Sequence, residues 1–356
     1  MTLVSLNDPN SDNDPLLVLI CIDLDFLIIY YYSTLKEALL DVCVAKGVLD
    51  QSKSFQATTL KGGTMRKRIF VLCAVVLLLC ALARAGEAQK GLKVFISVDM
   101  EGIAGVIHWD DVSRSGDDYS LFRKLMTQET NAAIQGALEA GATEILVRDS
   151  HGSARNILPD LLRREAELLR DWSGGPLSMM EGIDKTFDAV IFVGYHARAG
   201  TPDAVLKHTM TGTIYDVVLN GKKMPEAGIN AFIAGNFGVP VVLIAGDLAV
   251  CKQAKELFGN IETVAVKEGI GKAAKMLHPL KAQELIKKRT TAALKRLKDF
   301  KPYKLKPPFT MEVTFTDEEI AARSSWIPGA KRSGDRSVSF TSNDFMEVLK
   351  FFRFAR

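Results

Sequence analysis

Four short apolar runs in this chain each end abruptly in an acid or a histidine, and that repetition narrows the folds open to it. Lys93 to Val98 runs into Asp99-Met100-Glu101-Gly102, and Thr143 to Arg148 into Asp149-Ser150-His151-Gly152. Ala189 to Tyr195 ends at His196, and Val239 to Gly246 ends at Asp247. Near-continuous apolar runs of this length are what strands buried on both faces look like. Helical periodicity lies between them, clearest from about Asp118 to Ala140, where Leu121, Phe122, Leu125, Met126, Ala133, Ile134, Ala137 and Leu138 recur before Gly141. A second helix is expected from Asp160 to Trp172. Strands alternating with helices predict an α/β fold: a mostly parallel sheet with helices on both faces. Such sheets bind ligands beyond the carboxyl ends of their strands, which here carry Asp99 and Glu101, Asp149 and His151, His196, and Asp247. Residues i and i+2 of a strand share a face. Asp99 and Glu101 are therefore expected to emerge together, a like-charged pair that a metal ion or a basic side chain usually offsets; taken alone, the stretch reads equally as a helix N-cap or a solvated turn.

The first 85 residues stand apart from this pattern. Met65-Arg66-Lys67-Arg68 precedes an apolar run from Ile69 to Ala83, and Ala83-Arg84-Ala85 follows before Gly86. A basic head, an apolar stretch of about fifteen residues and an A-x-A site predict a secretory signal peptide over residues 65–85. The run is short for a membrane span, which takes about twenty residues. A signal peptide belongs at a start, so translation is expected at Met65, with residues 1–64 an over-extended reading outside the fold. The product is then exported, periplasmic or secreted; it is cytoplasmic if that segment is not used. Of five cysteines only Cys251 lies beyond the segment, so an exported chain has no internal disulfide. Cys251 falls in a helical pattern and reads as a small buried side chain.

Further along, residues of about 200–235 read as a hairpin-helix insertion. Thr209 to Leu219 is β-like, Asn220-Gly221 is a type I′ turn signal, and Pro225 opens a helix with Glu226 in its first turn. Residues 92–270 are expected to form the α/β metal-binding catalytic domain. Residues 271–356, beginning with a basic amphipathic helix over Lys281 to Phe300, are expected to form a small α+β domain. The net charge of +3 comes from scattered Lys and Arg often paired with acids, which excludes a nucleic-acid footprint.

Acids and neutral imidazoles without thiolates suit Zn²⁺, with Mn²⁺, Co²⁺ or Fe²⁺ compatible, and exclude a closed structural zinc site. Two or three acids with two histidines exceed what one catalytic zinc with an open position takes. They fit a binuclear site with one carboxylate bridging metals about 3.5–4 Å apart. No HExxH, GxSxG, CxxC, P-loop or GxGxxG pattern is present. Asp149 and Asp247 read as ligand orienters or loop caps. Arg198 reads as a substrate-carboxylate partner or a structural ion pair. Asn156 and Met180-Glu181-Gly182 read as structural, and His108 and His278 as bystanders.

Five motifs in order, Ser97-Val98-Asp99-Met100-Glu101-Gly102, Asp149-Ser150-His151, Gly194-Tyr195-His196-Ala197-Arg198-Ala199, Lys207-His208-Thr209-Met210 and Glu226-Ala227-Gly228-Ile229-Asn230-Ala231, resemble the M55 family of metallopeptidases. The resemblance runs from about Leu92 to the C-terminus. It implies two zinc ions per subunit, with Asp99 bridging them, Glu101 and His151 completing one, and His196 and Glu226 the other. It assigns His208 the catalytic role, as nucleophile or general base. It further implies aminopeptidase activity on short peptides, in particular D-amino-acid dipeptides such as D-Ala-D-Ala. A ring-shaped homo-oligomer, pentamer or decamer, and a functional link to peptide transport are part of the same implication. Two other readings stand beside it: a binuclear phosphoesterase, which would need arginines near the metals where only Arg148 and Arg198 offer themselves, and a non-catalytic peptide-binding protein.

Overall fold

Alternation of side chains along β1 (Leu92–Val98) sets the layering of the molecule. Val94, Ile96 and Val98 enter one buried cluster, while Phe95 enters another on the opposite face. This is the two-residue period of a strand covered on both sides. The computed structural model describes residues 91–356. The signal segment, residues 1–64 and the cysteines before Cys251 lie outside the described residues.

After β1 come α1 (Trp109–Val112), α2 (Tyr119–Glu139), β2 (Ala142–Asp149), β3 (Glu167–Leu169), β4 (Ala189–Tyr195), β5 (Ile214–Leu219), β6 (Lys222–Lys223) and α3 (Glu226–Asn236). They are followed by β7 (Val241–Asp247), α4 (Leu248–Phe258), β8 (Glu262–Ile270), β9 (Ala273–Met276) and α5 (Pro279–Lys295). The chain closes with β10 (Phe309–Phe315), α6 (Glu318–Ser324), β11 (Lys331–Gly334), β12 (Ser337–Ser342) and α7 (Phe345–Ala355). No described helix is long and apolar enough to cross a membrane.

The large sheet has seven strands in the order β3-β2-β1-β4-β7-β8-β9, parallel except for β9, which folds back antiparallel on β8. The chain enters at β1, moves outward through β2 and β3, then returns to the other side of β1 with β4. The strand order reverses between β1 and β4, which is where an open α/β sheet leaves a crevice. Helices α2 and α5 pack on each other and cover one face, with Ala133, Ile134, Ile286 and Leu294 in the same cluster as Ile96 and Val193. Helices α3 and α4 and the smaller sheet cover the other face, with Val250, Phe232 and Val313 in the cluster of Phe95.

At the crevice the ends of β1 and β4 approach backbone to backbone. Asp99 N–H donates to Val193 O at 2.8 Å, and Gly102 N–H to Gly194 O at 2.7 Å. A Cβ on Gly102 would lie 1.9 Å from the Tyr195 carbonyl oxygen, and one on Gly194 would lie 2.1 Å from the Asp99 carbonyl oxygen. Gly194 also has φ +71°, a conformation that glycine adopts without steric cost.

The smaller sheet is antiparallel, in the order β11-β12-β10-β5-β6. It draws β5 and β6 from the insertion and the rest from the C-terminal third, so residues 271–356 do not build it alone. Helix α5, expected with that smaller unit, packs on α2 instead. Asn220 and Gly221 both have positive φ, 48° and 76°, as a type I′ hairpin requires.

One expected element is replaced. No helix covers Asp160 to Trp172; turns and the short β3 stand there. Tertiary context outweighs the leucine spacing. The free edge of β2 pairs with Glu167–Leu169, and Asn131 on α2 accepts from Arg163 N–H and donates to Leu161 O. These bonds satisfy the backbone that a helix would otherwise satisfy internally.

Gly194→Ala is expected to cost about 3 kcal/mol or more, because both φ and the facing backbone oppose a methyl group. Urea denaturation of the variant against the parent protein measures it. A loss below about 1 kcal/mol would contradict the close approach described.

Candidate metal centre

The crevice between β1 and β4 gathers three carboxylates and three imidazoles from five separate segments. Asp99 and Glu101 follow β1, and His151 follows β2. His196 follows β4, His208 lies on the loop before β5, and Glu226 is the first residue of α3. Asp99, Glu101, His196 and Glu226 are 1–3% exposed, and His151 is 9% exposed. Their ligand atoms fall into three groupings, each within 4.8 Å: Asp99 with Glu101 and His151; Asp99 with His196 and Glu226; and Glu101 with His196 and His208.

Each imidazole is tied by one nitrogen to a backbone carbonyl. His151 Nε2 lies 2.9 Å from Val112 O. His196 Nδ1 lies 3.0 Å from Ala197 O, and His208 Nδ1 lies 2.8 Å from Leu206 O. A carbonyl only accepts, so those nitrogens carry a proton, and the opposite ones are the nitrogens that can coordinate a metal when the ring is neutral. All three of these opposite nitrogens face carboxylates. His151 Nδ1 is 2.9 Å from Glu101 Oε2 and 3.3 Å from Asp99 Oδ1. His196 Nε2 is 3.4 Å from both Asp99 Oδ2 and Glu226 Oε1. His208 Nε2 is 3.8 Å from Glu101 Oε1 and 3.6 Å from Glu226 Oε1. Asp99 therefore turns one oxygen toward His151 and the other toward His196.

Carboxylates gathered in a buried pocket need positive charge among them, either a second proton on the facing rings or a metal ion in its place. Burial, then the neighbouring Glu101 charge, pushes the Asp99 carboxyl up to about 6. Burial acts the same way on Glu101 and Glu226, but the imidazoles outweigh it. His151 foremost holds Glu101 well below the usual carboxylate range, and His196 holds Glu226 at about 2. Burial disfavours charging His151 and His196, yet Glu101 and Glu226 respectively hold both rings well above the ordinary imidazole value. His196 Nε2 is buried without a hydrogen-bond partner. An orphaned buried nitrogen between two carboxylates, in a donor set of oxygen and imidazole, fits a divalent ion of the zinc, manganese or cobalt kind.

The segments that carry these residues have their own supports. Asp149 accepts from Asn156 N–H and Ile157 N–H at 2.6 and 2.8 Å, and Asn156 Nδ2 donates to His151 O at 2.6 Å. Asp149 thus shapes the turn that carries His151. Asp247 caps α4 through Val250 N–H and also accepts from Ala197 N–H, which fixes the residue after His196. Met210, at φ 65°, donates its N–H to Glu226 Oε1 at 2.6 Å. Trp109, about half exposed, sets its ring edge-on to His208, and His208 stacks on His196 with centroids 4.1 Å apart.

Other candidates lie apart from the cluster. His108 caps α1 and His278 caps α5. Arg198 donates to Ala199 O at 3.1 Å and stands 4.0 Å from Asp216. Arg148 is buried and donates to Asp171 O at 2.6 Å. Sequence reasoning passed over Lys267 and Glu129, buried charged residues beside the loop after Glu101. Glu129 gave a signal, a charge at helical spacing between buried Met126 and Ala133 on α2, whereas strand alternation puts Lys267 on the face opposite Val264 and Val266, and it is buried where the β7–β8 register shifts.

A profile of peptidase family M55, described as D-aminopeptidase, matches residues 92–354. A D-aminopeptidase from Bacillus subtilis (strain 168) is 38% identical over 265 residues, covering 73% of this chain and 94% of that protein. Among solved structures, the chain is similar to a zinc-dependent D-aminopeptidase, DppA, from Bacillus subtilis, described as a self-compartmentalizing protease. The TM-score is 0.72 at 35% identity, covering 74% of this chain and 96% of that one.

The hydrogen-bonded carbonyls make the ring tautomers a measurable consequence. With zinc added, His151 is expected to remain protonated at Nε2 and His196 at Nδ1. Long-range proton–nitrogen correlation spectra of the imidazoles read this directly, and the opposite tautomer at either ring would rule out the ligand geometry.

Proposed function

We propose a function from one premise: the chain belongs to peptidase family M55, whose profile spans residues 92–354, and is a metallopeptidase. Within that family we read it as a binuclear zinc aminopeptidase that removes the N-terminal residue from short peptides beginning with D-amino acids, D-Ala-D-Ala being the simplest. The observation that carries the reading is the cluster of three buried carboxylates facing three imidazoles, each anchored by its other nitrogen on a backbone carbonyl. One divalent ion leaves the three carboxylates a single negative charge in excess and two leave a single positive charge in excess, so charge balance is compatible with either count. Asp99 lies in two of the groupings, with one oxygen toward each, which suits a bridging carboxylate. Glu101 and His151 would hold one ion, and His196 and Glu226 the other. When bound, zinc supplies Lewis acidity that polarises a peptide carbonyl and makes a water acidic near neutrality.

The chain's own residues do the remaining work. His208 has the longest approaches to the carboxylates, 3.6 and 3.8 Å, and its side chain is 14% exposed against 1–10% for the other two imidazoles. Its Nδ1–H is anchored on Leu206 O, so Nε2 is the atom free to handle a proton. In this reading Nε2 takes a proton from the attacking water as the C–O bond forms. It then returns a proton to the amine as the C–N bond breaks. The stacked His196 ring on one side and the Trp109 edge on another fix the plane of His208. Assembly into a closed homo-oligomer that shields the site is part of the proposal. It is supported by the description of the Bacillus subtilis relative as self-compartmentalizing.

The phosphoesterase alternative lacks its arginines: Arg148 and Arg198 donate to backbone carbonyls instead. No observation favours it.

The test is release of D-alanine from D-Ala-D-Ala by zinc-loaded protein. His208→Ala is expected to lower kcat by about a hundred- to ten-thousand-fold with zinc content unchanged. Asp99→Ala is expected to lower the zinc content itself. Chelation is expected to abolish turnover and added zinc to restore it. Full turnover after complete metal removal would refute the proposal.

A further inference from the structure

The loop that leaves β1 carries Glu101 and then runs to Val106, and it is gripped from two sides by buried charges. Lys267 Nζ, on β8, donates to the carbonyl oxygens of Glu101, of Ile103 at 3.1 Å and of Val106 at 2.5 Å. Glu129, on α2, accepts from Ala104 N–H at 2.9 Å. Lys267 is 3% exposed and Glu129 is 1% exposed. An ammonium has three protons and no lone pair, and here each proton has a carbonyl of its own within one loop.

Three carbonyls turned inward on one point require a donor set that an apolar side chain cannot supply. The register of β8 places Lys267 opposite Asp247 on β7, so its stem is fixed by the sheet and not by the loop. The ammonium is thus a fixed post to which the flexible segment is tied. The first of its three attachments is the main-chain carbonyl of Glu101, whose side chain faces His151 at 2.9 Å.

We infer that Lys267 is the positioning residue of Glu101, setting the affinity of the metal held by Glu101 and His151 while leaving the site of His196 and Glu226 largely unaffected. Lys267 acts through the backbone and does not touch substrate. Glu129 holds the same loop by its one N–H and is the lesser jaw of the clamp. The inference rests on the reading of Glu101 as a metal ligand, and the experiment separates the two.

Zinc affinity is measured by competition with a chromogenic chelator, and the thermal transition is measured on metal-free protein. Lys267→Met and Lys267→Gln are compared with Glu101→Gln and with the double variants. Removing the ammonium is expected to weaken one of the two zinc ions by about ten- to a hundred-fold, as loss of a ligand's supporting hydrogen bond does, with a cooperative metal-free transition retained. In the Glu101→Gln background the same replacement is expected to cost little more, because both act on one ligand. Parental zinc affinity in either folded Lys267 variant overturns the inference, as does a loss that multiplies fully with that of Glu101→Gln. The reading of Glu101 as a ligand fails separately if Glu101→Gln alone binds both ions as the parent does. Should Lys267→Met not fold, the Lys267→Gln measurement decides by the same criteria.

Discussion

Three carboxylates crowded where little water reaches them set the terms for the rest of this structure. Asp99, Glu101 and Glu226 cannot all be charged at 2–3% exposure unless something positive stands among them. The protein offers three imidazoles, and in each the proton is drawn away from the acids by a backbone carbonyl: Val112 for His151, Ala197 for His196 and Leu206 for His208. That arrangement turns the other nitrogen of each ring toward the acids, where a second proton on His151 and His196, or a metal ion in its place, offsets the crowded charge. The loops beyond the sheet make sense as supports for it. They hold carbonyls where ring protons need them, through Asp149, Asp247 and the turn around α1.

Much of this was legible in the amino-acid sequence because buried parallel strands leave a plain trace. β1, β4 and β7 are apolar almost throughout, so the polar residue that ends each one marks the sheet edge. Other parts were harder to read, for physical reasons. Glu226 in a first helical turn looks the same whether it complements the helix dipole or meets a metal; its 3.4 Å approach to His196 is a long-range fact. The leucines between Asp160 and Trp172 mimic a helix, but an open strand edge beside β2 captures the chain. Lys267 sits in a strand where a lysine ordinarily signals exposure, and only the convergence of three carbonyls from a loop 160 or so positions earlier explains it. The basic helix α5 was expected to start a separate unit, yet it packs on α2, because amphipathicity specifies a face to bury without naming its partner.

The crevice also depends on small residues. Where β1 and β4 exit, the chains are too close for a methyl group, and Gly102 and Gly194 mark the contact. Backbone groups of one strand end bond directly to the other, which fixes Asp99 relative to His196 more rigidly than any side-chain contact would.

The type I′ hairpin at Asn220-Gly221 has a consequence for how the protein comes together. It joins β5 and β6, which pair into the smaller sheet through β10, and the same insertion bears His208 and Glu226. A third of the acid–imidazole cluster is therefore carried by a segment stapled to residues nearly a hundred positions downstream. To the extent that docking of the C-terminal third orders this insertion, an ion shared between Asp99 and Glu226 stabilises that docking by mass action. Metal loading and completion of the fold are then one linked equilibrium, in which a chain that has not finished folding retains neither a site nor the means to act prematurely.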